Sequence, residues 1–555
     1  MAYAFQSIIN IAEICSKKGI CHAVISPGSR NAPLTIAFAN HPNIECISVV
    51  DERSAAFIAM GIAQQTQKTV VLICTSGSAG LNYAPAVAEA CFQEISLLIL
   101  TADRPPEWID QLDGQTIRQQ SMYGKHAKND YQLPVDYSHP DAVWHIERIV
   151  NEAINLTQLA PKGVVQINCP FREPFYPSED QEITYDSKVR IIDQSDVNIN
   201  FDQSLFNEIE QFENVLIVAG QDRFDQKLID ELNEIPFPVV ADIISNVQRA
   251  NHAIKHQDLM LVNPDLQKKL GAADLLITFG KSVISKNLKI YLRKYKPKQH
   301  WHIQEYGIPA DPFQSLTKVI YGKPNIFFEN LKHFTKKKSI QFLNNWLEAD
   351  KIPCFSPTFF ENQPFSELES IYEVMKYLPD RSILHLANSM AVRYVNSYGF
   401  DNQQDIEVFC NRGTSGIDGC LSTTVGHGYV SNKINTLIIG DLSFLYDKNG
   451  LWNHCIKNNL RIILINNGGG GIFKMITKPS QFKGTESFFT TPQTQDIELI
   501  CKQYDLNYKF CADKVALRYY MKDFFSSSEC PSLLEVRTDM NKNVGVWVDF
   551  KKLFA

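Results

Sequence analysis

The 555 residues contain no apolar run approaching the roughly 20 residues that a bilayer-crossing helix needs, so no membrane span is expected. Thirteen cysteines are present, but none stands in a Cys-x-x-Cys pair. That spacing marks zinc ribbons and thioredoxin-like redox sites, so neither is expected. Set singly in apolar runs such as those around Cys74 and Cys410, the cysteines read as reduced core residues. A basic surplus is also missing. The formal net charge is −7, which argues against a nucleic-acid partner, because such proteins carry excess Lys and Arg on one face. The run Gly468-Gly469-Gly470-Gly471 lacks the Gly-Lys-Ser/Thr that a phosphate loop requires. No Gly-x-Gly-x-x-Gly follows the apolar stretch ending at Val218, where the chain continues Ala219-Gly220-Gln221-Asp222. A dinucleotide oxidoreductase is disfavoured on that ground. Met1–Gly19 intersperses Gln6, Asn10, Glu13, Lys17 and Lys18 among apolar residues. That pattern predicts an amphipathic helix rather than a signal peptide, and the cytoplasm is the expected compartment.

What is present is ordinary globular composition, 44% hydrophobic and 21% charged, over a length that suits several domains. Apolar strand-like runs alternate with helical ones. In the first block, 1–180, strands are predicted over 22–26, 46–50, 69–74, 95–101 and 164–168, with helices over 32–40, 54–65 and 80–92. A stretch rich in Ser, Asp and Glu near 177–202 reads as a linker. The second block, 181–350, predicts strands over 214–219, 239–243, 275–279 and 300–304 and helices over 283–294 and 340–349. The third, 351–555, predicts strands over 383–386, 406–409, 436–439, 461–465 and 532–536. The expected fold class is α/β, with three doubly wound parallel-sheet domains.

Two apolar runs of the third block end in polar motifs. Ile438-Ile439 leads into Gly440-Asp441-Leu442-Ser443, and Leu464-Ile465 leads into Asn466-Asn467-Gly468-Gly469; Gly440 to Asn467 spans 28 residues. On neighbouring parallel strands, these would place a carboxylate and a carboxamide together at the C-terminal edge of the sheet. Such hard oxygens suit Mg²⁺ or Ca²⁺ carrying a diphosphate. Taken singly, each motif is also common turn chemistry. Glu52, in Asp51-Glu52-Arg53, reads on its own as a helix N-terminal carboxylate. Arginine recurs in loops after predicted strands: Ser26-Pro27-Gly28-Ser29-Arg30, Thr101-Ala102-Asp103-Arg104, Asn388-Ser389-Met390-Ala391-Val392-Arg393 and Asn411-Arg412-Gly413, with Gly114-Gln115-Thr116 following the second. One arginine is a surface charge. Four at strand ends, where open α/β sheets place ligands, point to substrates bearing several carboxylates, which guanidinium grips bidentately.

The Gly-Asp and Asn-Asn pair resembles the signature of thiamine-diphosphate enzymes. The stretches SPGSRNAPL, VDERSAAF, TSGSAG, LTADRPPE, GQTIRQ, NSMAVR, NRGTSGIDG, GDLSFLYD and NNGGGGIF, from Ser26 to Phe473, resemble one family of them more narrowly. These are the 2-succinyl-5-enolpyruvyl-6-hydroxy-3-cyclohexene-1-carboxylate synthases of menaquinone biosynthesis, in which GDLS in place of Gly-Asp-Gly is typical. The resemblance implies a pyrimidine-binding domain over 1–180, a central domain over 181–350 and a pyrophosphate-binding domain over 351–555. It implies thiamine diphosphate with Mg²⁺, Mn²⁺ being an alternative, the metal being held by Asp441, Asn467 and the carbonyl of Gly469. Ser389, Ile417, Leu442, Ser443 and Ile472 would join them around the cofactor, Ile417 as its apolar prop. Glu52 would be the catalytic carboxylate, hydrogen-bonded to the aminopyrimidine ring. Ser29, Arg30, Arg104, Gln115, Lys281, Arg393, Arg412, Phe473 and Ile476 would line the substrate site, with Ser389 between the two groups. Ser282 stands where many relatives carry a second basic residue.

The implied reaction is decarboxylation of 2-oxoglutarate, followed by conjugate addition of the succinyl carbanion equivalent to isochorismate, in a homodimer or dimer of dimers. The SPGSR, DER and NRG motifs contain no histidine, which favours carboligation over protonation to an aldehyde; His427 has no assigned place. The alternatives are another thiamine-diphosphate carboligase or a 2-oxoacid decarboxylase, and a protein that only binds the cofactor or a nucleotide.

Overall fold

The predicted apolar runs become parallel strands in a computed structural model that describes residues 5–178, 181–194, 201–334, 339–351, 357–400, 404–475 and 484–554. β1 (His22–Ile25), β2 (Glu45–Ser48), β3 (Val70–Cys74), β4 (Leu97–Asp103), β5 (Asn129–Gln132) and β6 (Val164–Pro170) form one sheet. β7 (Val215–Ala219), β8 (Val239–Ala241), β9 (Ala253–Ile254), β10 (Leu275–Phe279), β11 (Gln299–Gln304) and β12 (Lys318–Tyr321) form the second. β13 (Ile383–Leu386), β14 (Glu407–Phe409), β15 (Asn435–Gly440), β16 (Leu460–Asn466), β17 (Asn507–Cys511) and β18 (Ser532–Arg537) form the third. The first and third share one order, β2-β1-β3-β4-β6-β5 and β14-β13-β15-β16-β18-β17, whereas the second runs β12-β11-β10-β7-β8-β9. β3, β4, β6, β7, β10 and β16 are buried at every residue. Helices on both faces of a parallel sheet produce that pattern, and it is why these strands read as unbroken apolar runs.

Each sheet has a point where the strand order reverses, and there the C-terminal strand ends open a crevice. In the first sheet it falls between β1 and β3, in the second between β7 and β10, and in the third between β13 and β15.

The chain packs as two compact units. One comprises Met1–Asp196, Asn411–Asn432 and Phe444–Leu460; the other comprises Val197–Cys410, Lys433–Ser443 and Arg461–Ala555. In the first, the helices Glu52–Thr66 and Cys420–Val430 touch backbone to backbone. A Cβ on Gly61 would stand 2.2 Å from the Thr423 carbonyl oxygen, and one on Gly426 would stand 2.1 Å from that of Ile58. No larger residue fits either position without separating the helices. In the second unit, the edge strand β14 is covered by a side chain. Asn246, at φ +57°, accepts from the Val408 N–H at 2.8 Å and donates to the Val408 carbonyl at 3.1 Å. Its carboxamide thus takes the place of a neighbouring strand and blunts the open edge.

Several local expectations shift. The helix predicted over 80–92 is two helices, Ser78–Asn82 and Ala84–Gln93. Pro85 lacks an N–H and so favours a helix start. The helix predicted from 283 begins at Lys286, where the Ser285 hydroxyl accepts from the Leu288 N–H. β5, β9, β12 and β17, and the helix Pro140–Gln158, were not predicted. The N-terminal helix is Gln6–Lys17. The described parts of the expected linker, 177–178, 181–194 and 201–202, hold neither helix nor strand, and 179–180 and 195–200 lie outside the described residues. Among the described residues no helix is long and apolar enough to cross a membrane. Most described cysteines are buried, and none of them forms a disulfide.

Candidate active site

In the first unit, Glu52 is the first residue of the helix that follows β2. The Asp51 side chain caps that helix by accepting from the Ser54 N–H at 3.1 Å, and its other oxygen accepts from Asn449 at 2.7 Å. Arg53 donates to the Tyr446 carbonyl at 2.7 Å and lies over the Tyr446 ring. These contacts fix the helix start on which Glu52 sits. Burial raises the Glu52 pKa, against opposing hydrogen bonds that include one from Asn82. A carboxyl group shifted towards neutrality is suited to proton exchange at working pH.

Beneath this helix start, Asp447 is fully buried and accepts from the Ser422 N–H and hydroxyl at 2.7 and 2.8 Å. Burial pushes its pKa up to about 7, whereas an unfolded aspartate titrates near ~3.9. Between those values the folded protein keeps a proton that the unfolded chain has released. The Asp447 contribution to stability is therefore full below pH ~4 and is lost as pH rises towards 7. Asp447→Asn keeps an acceptor for Ser422 and removes this titration. Denaturant unfolding at pH 5 and 7.5 should show a smaller loss of stability in the variant than in the parent; equal losses would contradict the assignment.

The arginine loops of this unit converge on the C-terminal edge of the first sheet. Arg30, after β1, donates to the Phe171 carbonyl at 2.9 Å and lies 4.7 Å over the Phe175 ring. Arg104, after β4, bonds Asp113, the Ser76 hydroxyl at 2.6 Å and the Gln115 carbonyl at 3.4 Å. Burial, then the charge of Arg104, holds the Arg30 guanidinium below its ordinary value. Ser29 is exposed on the same loop as Arg30. Gln115 sits at φ +55° beside Gly77, where a Cβ would come within 3.2 Å of the Gln115 main chain. Arg412 and Ile417 lie on the loop that precedes the helix Cys420–Val430, with Ile417 39% exposed.

The second unit holds the metal motif at the reversal point of the third sheet. Asp441 follows β15 and is only 2% exposed. Its oxygens accept from the Leu442 N–H at 2.8 Å and the Gln493 amide at 3.0 Å, and the Gly468 and Gly469 amides lie within its field. Burial raises its pKa, and among the described residues no cationic side chain pairs with it. Leu442 lies in the helix Asp441–Tyr446, a conformation open to any ordinary residue, so the departure from glycine costs the motif nothing. Asn467 follows β16; its Oδ1 accepts from the Gly469 N–H at 3.0 Å and its amide donates to Glu367. Gly468 and Gly469 have φ of +82° and +152°, and a Cβ on Gly469 would lie 2.5 Å from the Thr490 carbonyl oxygen.

Glu367 was not foreseen. It is buried, and burial, then the Asp441 charge, pushes its pKa up to about 7 against the Asn467 hydrogen bond. Two buried carboxylates with uncharged partners, next to a carboxamide and a glycine carbonyl, make an oxygen-rich site short of positive charge. That composition fits a hard divalent cation with a diphosphate completing its shell. No group of three or more His, Cys, Asp or Glu side chains is placed to hold a metal among the described residues.

Ser389 stands just before the helix Met390–Tyr398 that follows β13, with φ +77° and ψ −128° and no side-chain capping bond, a conformation costing about 1–3 kcal/mol for a non-glycine residue. Arg393, exposed one turn on, donates to the Ser389 carbonyl. Ser443 is buried. Ile472 packs on the core of this unit, and the Phe473 ring lies 5.8 Å from that of Phe489. Ile476 lies outside the described residues. Lys281 belongs to a different sheet edge: it follows β10, and its ammonium pairs with Asp222 at 3.0 Å. The second sheet has the strand order of dinucleotide-binding folds, but its crevice is bridged by backbone. The Gln221 N–H donates to the Ser282 carbonyl and the Lys281 N–H to the Gln221 carbonyl, at 2.8 and 2.9 Å. A Cβ on Gly220 would lie 2.3 Å from the Lys281 carbonyl oxygen.

Comparison with known proteins gives the family. Residues 10–123 match the family model for the N-terminal TPP binding domain of thiamine pyrophosphate enzymes, and residues 186–386 match that for the thiamine pyrophosphate middle domain. The chain is 40% identical to a 2-succinyl-5-enolpyruvyl-6-hydroxy-3-cyclohexene-1-carboxylate synthase of Cytophaga hutchinsonii, over 99% of this chain and 98% of that protein. It is 39% identical to the synthase of Flavobacterium psychrophilum, again over 99% and 98%. It is 34% identical to that of Bacteroides fragilis, over 98% of both. Fold and site together define a thiamine pyrophosphate enzyme. Within that class, the chain belongs to the family of 2-succinyl-5-enolpyruvyl-6-hydroxy-3-cyclohexene-1-carboxylate synthases.

Proposed function

We propose that the protein releases CO₂ from 2-oxoglutarate and joins the remaining succinyl carbons to isochorismate, giving 2-succinyl-5-enolpyruvyl-6-hydroxy-3-cyclohexene-1-carboxylate. The observation that carries this reading is the Arg30 and Arg104 pair. Two guanidinium groups close enough to repel each other, partly offset by Asp113, Asp103 and Glu173, stand at the sheet edge that also bears Glu52 and suit anionic ligands. Both substrates are dicarboxylates, and carboxylates pair with guanidinium through charge-assisted hydrogen bonds. A small neutral second substrate would make no use of these charged donors.

Thiamine diphosphate, when bound, supplies the electron sink that makes cleavage beside the ketone feasible. The chain's own residues do the rest. Asp441, Asn467 and the Gly469 carbonyl would hold Mg²⁺, or Mn²⁺ in its place, and through it the diphosphate. Glu52 would exchange a proton with the aminopyrimidine. Ser389, Ile417, Leu442, Ser443 and Ile472 would shape the cofactor's surroundings, and Arg30, Arg104, Arg393 and Arg412 would orient substrate carboxylates, with Ser29, Gln115, Phe473 and Ile476 beside them. Lys281 would reach substrate only by exchanging its Asp222 partner. A homodimer or dimer of dimers in the cytoplasm belongs to the same reading. Leu81, Phe92, Tyr446 and Trp452, each about half exposed, are apolar surface that favours assembly.

Incubation with thiamine diphosphate, Mg²⁺, 2-oxoglutarate and isochorismate tests the proposal. CO₂ and adduct are expected in equal amounts, with little CO₂ formed when isochorismate is omitted. Rapid turnover of pyruvate, with no isochorismate-dependent product, would instead establish a different carboligase or a decarboxylase.

A further inference from the structure

Glu89 lies on the helix Ala84–Gln93 and is 1% exposed. Among the described residues no cationic side chain pairs with it. Its carboxylate is satisfied by the loop that carries Arg412. Oε1 accepts from the Gly413 N–H at 2.8 Å, and Oε2 accepts from the Thr414 N–H at 2.6 Å and from the Thr414 hydroxyl. Gln93 also donates to Oε1. Two successive amides and a hydroxyl form a small anion-binding concavity, and the protein fills it with its own carboxylate. The fit is close: a Cβ on Gly413 would stand 2.7 Å from the Glu89 carbonyl oxygen and 3.1 Å from its Oε1. Behind Glu89 the polar chain continues inward. Gln64, on the Glu52 helix, donates to Gln93 at 3.0 Å, and His427 meets Gln64 at 3.0 Å and Gln65 at 3.1 Å. His427 is thereby placed as a buried structural partner of this chain.

We propose that Glu89 is a positioning residue, which fixes the Asn411–Thr414 loop so that Arg412 is held ready for a substrate carboxylate. The inference rests on the reading of Arg412 as a substrate-binding residue. A carboxylate is the group that suits this place, because both of its oxygens accept. In Glu89→Gln the amide turns an N–H towards either the Gly413 or the Thr414 N–H, and one of the two contacts becomes donor against donor. The loop should lose its fixed position at Arg412, while Asp441 and Asn467, which would hold the diphosphate through the metal, keep their own contacts.

Steady-state kinetics on the holoenzyme tests this. Arg412→Ala identifies which substrate, 2-oxoglutarate or isochorismate, depends on Arg412 through its KM. Glu89→Gln is then expected to raise the same KM about 10-fold, with thiamine diphosphate affinity unchanged within about 2-fold; Glu89→Gln/Arg412→Ala should be no worse than Arg412→Ala, because both act through one contact. Thr414→Val, at an exposed position, removes a single donor and should raise that KM about 2-fold, which keeps the test open if Glu89→Gln folds poorly. A purely structural role would lower the melting temperature and the active fraction but leave KM as it was, and that result would overturn the proposal. So would additive effects in the double variant. If Arg412→Ala itself leaves both KM values unchanged, the substrate role of Arg412 fails and the proposal with it; a raised KM in Arg412→Ala alone removes only the role of Glu89.

Discussion

Glu52→Gln is expected to bind thiamine diphosphate normally and to lose about 10²–10⁴ of its turnover, the range that a positioned acid or base contributes. Glutamine keeps the size, the helix start and a hydrogen-bonding carbonyl, but it cannot exchange a proton. The structure gives Glu52 two properties that an ordinary helix N-terminal carboxylate lacks: a pKa raised by burial, and a helix start clamped from outside by Asn449 and Tyr446. The first matches proton transfer and the second fixes its direction. Calorimetric titration with the cofactor, beside kcat for both substrates, separates the two parts of the claim. Full turnover in the variant would remove Glu52 from the chemistry and revive the passive-binder alternative.

Asp441→Ala should weaken Mg²⁺-dependent cofactor affinity by more than about 100-fold. Losing groups that merely orient metal ligands typically costs about 10–100-fold, and Asp441 is assigned as a direct ligand with formal charge. The same variant should not be less stable without cofactor. The Asp441 pKa is raised by burial, so its charge is held in the folded state at a cost when no cation is present. A retained melting temperature with lost affinity is therefore the expected pair of results. Affinity that stays unchanged across a range of Mg²⁺ concentrations would count against the site. Asp441→Asn, which preserves an acceptor for Leu442, would separate the effect of charge from that of shape.

The strands were legible where burial on both faces demands unbroken apolar sequence. Leu275–Phe279 and Ile383–Leu386 were predicted to the residue. Asn129–Gln132, Lys318–Tyr321 and Asn507–Cys511 were not, because each is an edge strand of its sheet with mostly exposed or half-buried residues. Such segments are strands only because a neighbour pairs with them, and their own composition gives little sign of it. The site divides in the same way. Asp441 and Asn467 are announced by the apolar strands that deliver them. Glu89, Glu367, Asp447 and Gln493 carry no local mark, and as single residues they resemble solvated polar side chains.

The sequence by itself determined the three parallel sheets and the cofactor class, and it set arginines in the loops after the strands. Those follow from short-range facts: runs that must be buried, and functional groups placed directly after them. Only the tertiary structure decided which carboxylates are buried and what satisfies them. Glu89 meets Gly413 across 324 residues of chain, and Asn467 meets Glu367 across 100. A carboxylate's burial depends on what packs over it, and its hydrogen bonds depend on which distant amides arrive there. Neither quantity is a property of the segment that contains the residue.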